Sequence, residues 1–391
     1  MPVLYRTICS VLAPRTKILS FLIALGTHPP LDRLQLARHL GLDTFDPPGI
    51  QMLQHKWDHP DELIRVGTLS PDEMGSISGG LLCKEVTVTL NRMVLENDLV
   101  LIVGPVFPHE FVGFSGGHKY FFPGISGPDM INQSHWLGAL ITNPSINGRI
   151  DNPVREMIEK AAAMVSTPRF GLSLVMQGRD LIGFTLGEVR EAWRTAANLS
   201  SRTNVIEVDR PFHTVISVVP PKYQDLWTGS KCMTKLELVV ADGGTLILYA
   251  PHIRQVSLRH GRFHREIGYH VADYFLQQSE HFEHVPRVVL ADLMQLKGIG
   301  TYKGGVERPR IRVMLAAGIP ESECQSLGLY YIDPKSLRIE EFKEREEEGI
   351  LVVPEAGEVL WRLVDPHKSK RSVRLPDRCD HMNGESRSKT R

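Results

Sequence analysis

Leu99-Val100-Leu101-Ile102-Val103-Gly104 runs on, after three residues, into Pro108-His109-Glu110-Phe111-Val112-Gly113-Phe114-Ser115-Gly116-Gly117-His118-Lys119-Tyr120-Phe121-Phe122-Pro123-Gly124. The first six residues are an apolar run closed by glycine, which reads as a buried strand. The stretch from 104 to 124 is too irregular for a helix or a strand. It lies just past a strand end, where open α/β sheets hold their ligands. Gly113, Gly116 and Gly117 permit positive φ and close approach of backbone to a ligand. The N–H groups of such a loop can form a nest for an anion. Lys119 follows at once, as a phosphate cation or a nucleophile. His109 and His118 supply imidazoles that exchange protons near neutral pH.

Outward from this stretch the pattern alternates between strands and helices. Upstream, 3–13 reads as a helix and 17–25 as a fully buried strand, closed by the turn Gly26-Thr27-His28-Pro29-Pro30. A helix from Leu31-Asp32 to Leu40 follows, with Leu34 and Ala37 on one face and Gly41 as its stop signal. Residues 85–90 alternate Val86, Val88 and Leu90 against Thr87 and Thr89, as a half-exposed strand does. Downstream, helices are predicted at 126–140, 152–166 and 186–199, and the polar segment 199–205 as a hinge. Strands are predicted at 213–219, 245–250 and 287–290, and helices at 229–240, 269–279 and 306–317. Residues 350–364 read as a final strand and helix.

The expected fold is α/β: two α/β domains with the active site in the cleft between them. The expected boundaries are 1–202 for the first domain, 203–345 for a second, closing domain, 346–364 for a return to the first, and 365–391 for a disordered tail.

Bulk composition narrows the function. The 391 residues exceed one ordinary core and suggest two domains of roughly 150–200 residues each. Lys+Arg and Asp+Glu both number 45, which argues against a nucleic-acid partner. No apolar run is long enough to span a bilayer. The five cysteines are scattered without a C-x-x-C pair, which fits a reducing, cytoplasmic compartment better than a disulfide framework. Arg6, Arg15 and Lys17 before the apolar run 18–26 mimic a short signal peptide. Gly26 and the His-Pro-Pro turn make a strand the better reading.

Considered alone, each candidate has an ordinary alternative. Lys119 reads as a solvated loop lysine, His135 as a surface or core histidine, and His28 as a turn residue. His118 stays open between a phosphate contact, a supporting role and a solvent-facing one. His252, His260, His264, His270, His281 and His284 lack the spacing of a zinc site and read as scattered surface residues.

Taken together, the motifs resemble the nickel-pincer lactate racemase family, whose pattern is roughly H-x-[FY]-x-G-[FY]-S-G-G-[RK]-K-x-x-x-P-G with a later histidine. The spacings from His109 to Lys119 and from Lys119 to His135 match. Ala24-Leu25-Gly26-Thr27-His28-Pro29 resembles the family's A-x-G-T-H-[RP] turn. Asp225-Leu226-Trp227-Thr228-Gly229-Ser230-Lys231 resembles its substrate segment. The resemblance covers about residues 15–320.

It implies racemisation or epimerisation of a 2-hydroxy acid. The route is abstraction and return of a hydride through a nickel-pincer mononucleotide, with a 2-keto acid intermediate. It implies His28 and His109 as the catalytic proton-transfer pair, and Lys119 as the covalent tether of the cofactor. Phe111, Ser115, Gly116, Gly117 and Pro123 are the implied cofactor contacts, His135 the nickel ligand, and Trp227, Thr228 and Lys231 the substrate contacts. The implied partners are a small-molecule 2-hydroxy acid and the cofactor-synthesis enzymes, with no nucleic acid and no membrane.

Two departures stand out. The family's opening strand and D-x-[ST]-R-P segment are not found in residues 1–16, so that segment lies upstream or the phosphate site is incomplete. Thr228 replaces a glutamine, which suggests a substrate other than lactate. Two further readings are a non-catalytic or cofactor-deficient relative acting as a binding protein, and a nickel-free phosphate- or nucleotide-dependent enzyme.

Overall fold

The computed structural model describes residues 1–42 and 49–364; the expected disordered tail, 365–391, lies outside the described residues. The first half is built from small sheets with helices packed on them. Leu19–Ile23 pairs with Ile50–Gln54 in parallel, and Leu63–Leu69 with Val86–Asn91 antiparallel. A third sheet orders Val100–Pro105, Arg169–Gln177 and Asp180–Gly187, the first pair parallel and the second antiparallel. The second half centres on a five-stranded parallel sheet. Its spatial order is Tyr330–Tyr331, Arg312–Ala317, Val240–Ala250, Phe212–Val218, Ile350–Val353. The fold is α/β, as the alternation implied.

Several elements form for reasons visible in the sequence. Asp32 caps Arg33–Leu40: its carboxylate accepts from the Gln35 N–H while Gln35 reaches back to the Asp32 N–H. Gly41 ends that helix in the left-handed region at φ 65°. Its buried face is Leu36 and Leu40, whereas Leu34, expected on the apolar face, is 57% exposed. Val86, Val88 and Leu90 turn into the core as the alternation requires. The helix Pro128–Ile141 begins with Pro at its first position and Asp129 in its first turn. Met130, Ile131 and Leu137 seat it in the core.

Other expectations fail. The strand at 17–25 is shorter, Leu19–Ile23, and only partly buried. Residues 199–203 are not a hinge but the last turn of the helix Val189–Thr203. The expected strand at 287–290 is the start of the buried helix Arg287–Gln295. A short apolar run with Val288 and Val289 fits either state, and burial on all sides removed the period that would have told them apart. The expected helix at 306–317 is two strands, Val306–Pro309 and Arg312–Ala317. Pro309 cannot continue a helix, and the ladder to Val240–Ala250 fixes 312–317 as extended. Helix 229–240 is broken into Leu226–Gly229 and Lys231–Thr234, with a strand from Val240. The helix expected within 350–364 is instead Leu360–Leu363, a strand paired with Val205–Val208.

The two halves meet through buried polar contacts. Asn143 Nδ2 donates to the Thr234 carbonyl at 2.9 Å and to Glu237 Oε2 at 2.8 Å. These fix the segment 231–237 against the first half, and with it Lys231 and Lys235.

Candidate active site

Val100–Pro105 delivers the chain into a short hairpin, Pro108–His109 against Gly113–Phe114, then a single turn of 3-10 helix, Gly117–Tyr120. The loop is held from behind. The buried Arg155 guanidinium donates to the Phe114 carbonyl and, at 3.2 Å, to the Gly116 carbonyl. It lies 3.9 Å from the Trp193 ring centre, and the Trp193 indole N–H donates to the Ser115 carbonyl at 2.8 Å. Ser115 Oγ donates to the Pro105 carbonyl and accepts from the Phe107 N–H. Its hydroxyl thus braces the loop.

Gly117 has φ +60°, and a Cβ there would lie 2.8 Å from Trp193 Cγ. Gly117→Ala combines that clash with a conformation L-residues avoid, and is expected to cost about 2–4 kcal/mol. Equilibrium urea unfolding checks it; a change under 1 kcal/mol would show that the loop yields. The N–H groups of Gly116, Gly117 and His118 have no hydrogen-bond partner among the described residues. They remain available to an anion.

His118 resolves into a bracing residue. Nδ1 is 2.8 Å from Glu159 Oε2 and Nε2 accepts from Arg169 Nε at 3.0 Å. Both nitrogens are engaged inside the protein.

Four candidate groups share one electrostatic neighbourhood. Lys119 Nζ makes no hydrogen bond among the described residues. Burial, then the Lys231 ammonium, push its pKa down to about 7, against the pull of Glu110. His135 sits on Pro128–Ile141, where Nδ1 lies 2.8 Å from the Ile131 carbonyl. That contact puts the proton on Nδ1 and leaves the Nε2 lone pair free. Phe111 meets the His135 ring edge-on at 5.0 Å between centres. Burial, with Lys119 and Lys231 reinforcing it, lowers His135 to about 4, so it is neutral at pH 7. Burial pushes His109 well below the usual imidazole range, against the pull of Glu110 and with Lys119, Lys231 and Lys235 adding to it. His28 stands at the open mouth of the cleft, where the surrounding protein and Lys231 lower its pKa in turn. Its turn is tied to the loop by the Gly26 N–H, which donates to the Gly124 carbonyl at 2.9 Å.

A shallow, open cleft is lined by Thr27, His28 and Pro29 on one side and by Asp225, Trp227 and His260 on the other. Arg259, on the wall of this cleft, pairs with Asp58 at 3.3 Å. A larger crevice lies between the halves, but its one titratable group, Glu237, is already bonded to Asn143 and the Ile299 N–H. Of the four candidate groups, His28 lines the smaller cleft.

Thr228 lies beside this cleft with its hydroxyl turned away. Oγ donates to Asp225 Oδ1 at 2.6 Å, and Asp225 caps the helix Leu226–Gly229. Trp227 packs instead on the His260 and His264 rings.

A model of the family described as "Lactate racemase N-terminal domain" matches residues 1–147. A Thermotoga maritima protein of known structure is 30% identical, with a TM-score of 0.84 over 92% of this chain and 89% of that one. The lactate racemase of Lactiplantibacillus plantarum is 28% identical over 254 residues, 64% of this chain and 55% of its own length.

The chain belongs to the lactate racemase family.

A second family member, the lactate racemase of Thermoanaerobacterium thermosaccharolyticum, is 28% identical over 235 residues, 59% of this chain and 51% of its own. The chain thus matches about half the length of these two curated lactate racemases. The structure of the apoprotein of lactate racemase from T. thermosaccharolyticum shares the fold, with a TM-score of 0.69 at 20% identity over 92% of this chain and 82% of that one.

Within this lactate racemase-family chain, no group of three or more His, Cys, Asp or Glu among the described residues forms a metal cluster. No helix among them is long and apolar enough to cross a membrane. Of the second-half histidines, His264 bonds to Asp292 at 2.9 Å, His270 to Glu307 at 2.6 Å and His252 to the Tyr223 carbonyl at 3.0 Å. Sequence reasoning missed Glu110, Lys235, Arg155 and Trp193. Glu110 was in plain view beside His109, but its partner Lys235 lies 125 positions away.

Proposed function

We propose that this chain racemises or epimerises a 2-hydroxy acid, using a nickel-pincer mononucleotide tethered at Lys119. The observation that carries this is the shared field: the charges of Lys119 and Lys231 both act on His28, His109 and His135. The turn at His28 and the segment at Asp225 and Trp227 line one cleft, and these shared charges tie His109, Lys119 and His135 to the same neighbourhood.

The residues present fit the group. His135 offers a neutral imidazole with its proton fixed on Nδ1 and Nε2 open, the form a metal takes. Lys119 offers a buried amine near its titration point. Phe111 offers a ring beside His135. The unpartnered N–H groups of 116–118 suit a phosphate. When bound, the group supplies a hydride acceptor, a chemistry no side chain has.

The chain's own part is binding and proton transfer. Lys231 holds the substrate carboxylate by charge-assisted hydrogen bonds. His28 and His109, neutral at pH 7, take the proton of the substrate hydroxyl, each for one enantiomer, and give it back. Trp227 walls the cleft. With the Thr228 hydroxyl satisfied by Asp225, the polar contact expected from the substrate segment is missing, which favours a substrate other than lactate.

The test is a panel of chiral 2-hydroxy acids, followed by loss of optical rotation, on protein made together with the cofactor-synthesis enzymes. His28→Ala and His109→Ala are each expected to lower turnover by about 10²–10⁴-fold while nickel content stays unchanged. Stoichiometric nickel with no racemisation of any acid would return the chain to the reading of a binding protein. Full activity in nickel-free protein would favour the phosphate-dependent reading.

A further inference from the structure

Glu110 and Lys235 form an ion pair that lies wholly inside the protein and joins its two halves. Lys235 Nζ donates to Glu110 Oε2 at 3.1 Å, and both side chains are 2% exposed. The same Oε2 lies 3.6 Å from His109 Nδ1. That nitrogen has a second neighbour: the Phe111 N–H donates to it at 3.2 Å.

The two neighbours ask opposite things of Nδ1. The Phe111 N–H needs a lone pair there, which puts the proton of a neutral imidazole on Nε2. Such a ring has no lone pair left at Nε2 to take a proton from substrate. The Glu110 carboxylate needs a proton on Nδ1, which frees Nε2 to accept one. It also receives Nδ1–H when the ring becomes imidazolium. A cycle that takes a proton at Nε2 and returns it needs Nδ1–H throughout. A ring movement of about 1 Å brings Nδ1 from 3.6 Å into hydrogen-bond range of Oε2.

We infer that Glu110, anchored by Lys235, is a positioning residue that keeps the proton of neutral His109 on Nδ1 and so makes Nε2 the proton acceptor. This rests on the reading of His109 as a proton-transfer residue. The carboxylate stays charged in its buried site: burial alone would raise its pKa, but His109, Lys235 and Lys231 outweigh that and hold it well below the usual range. The charged groups facing His109 are Glu110, Lys119, Lys231 and Lys235. Of these, Glu110 is the one acceptor. Because Lys235 comes from the other half of the protein, the acceptor is in place only when the halves are assembled.

The experiment has two readouts. Imidazole nitrogen NMR on the protein without cofactor reports the His109 tautomer, assigned by its loss in His109→Ala. The wild type is expected to show an Nδ1–H population that Glu110→Gln loses. The double variant Glu110→Leu, Lys235→Met leaves no unpaired charge and is expected to lose it too, which separates tautomer control from misfolding. Turnover of the loaded enzyme is expected to fall about 100-fold in both variants, with KM changed less than threefold and the acid limb of the pH profile displaced. Glu110→Asp is expected to recover part of the rate. Identical tautomer populations in wild type and variants overturn the inference, and so does unchanged turnover despite a tautomer shift. If no acid is racemised by the wild type, the functional reading fails, and the NMR result still decides the role of Glu110.

Discussion

Lys119→Ala, made alongside the cofactor-synthesis enzymes, is expected to carry neither the covalent mass addition nor bound nickel, and to racemise nothing above background. A lysine of ordinary pKa is unprotonated in less than about one molecule in a thousand at pH 7. Burial and the Lys231 charge bring Lys119 down to about 7, which makes the free amine far more abundant than in an ordinary lysine. No hydrogen bond among the described residues ties that amine down. It is the kind of buried lysine that forms covalent links with an electrophile. Lys119→Arg keeps the charge and removes the nucleophile, and is expected to behave as alanine does. The loss in turnover is expected to exceed about 10³-fold, since the chemistry leaves with the cofactor. Intact-protein mass and nickel analysis decide the matter. A variant that retains the added mass would move the tether elsewhere. Loss of the tether is not expected to unfold the protein, because removing a buried, unpaired cation relieves desolvation.

The second large effect is on stability. Lys235→Met leaves Glu110 buried at 2% exposure without its cation. Removing one partner of a buried pair costs about 3–5 kcal/mol, more than the pair itself contributes over an apolar replacement. The sign with pH follows from Glu110. Its folded-state pKa is depressed, so its contribution is present above the unfolded value of about 4.3 and is lost as pH falls through the folded value. Without Lys235 burial raises the Glu110 pKa, and the carboxyl takes up a proton sooner. The penalty of Lys235→Met is therefore expected to be largest near pH 7 and to shrink towards pH 4. Urea unfolding of wild type and variant at both values measures it. A penalty that grows towards acid would contradict the assignment of Glu110 as the buried anion. The double variant with Glu110→Leu is expected to recover most of the loss.

Both predictions concern groups that differ in how visible they were. Lys119 stands in a stretch whose composition, three glycines and two histidines around a lysine, marked it as a site before any coordinates. Lys235 stands in a segment that read as an ordinary helix. It matters because Asn143 holds that segment against the first half and because Glu110 waits there. His118 looked as available as His109 in the sequence. Glu159 and Arg169, from a helix and a strand further along, take both its nitrogens. Thr228 was expected to face the substrate, and Asp225, three residues away, turned its hydroxyl back.

The sequence by itself determined what depends on neighbours along the chain. The cap at Asp32, the stop at Gly41, the alternation at 86–90 and the strand into 104–124 all follow from local periodicity and hydrogen-bond competition. So does the order of His28, His109, Lys119 and His135, which a fixed spacing exposes. Tertiary structure decided whatever depends on partners distant in sequence. Residues 287–290 became helix and 312–317 strand because burial and a ladder from 240–250 outweighed weak local preference. That His118 braces the loop was settled the same way, since a hydrogen bond is chosen by the atom three ångströms away and not by the residue next in line.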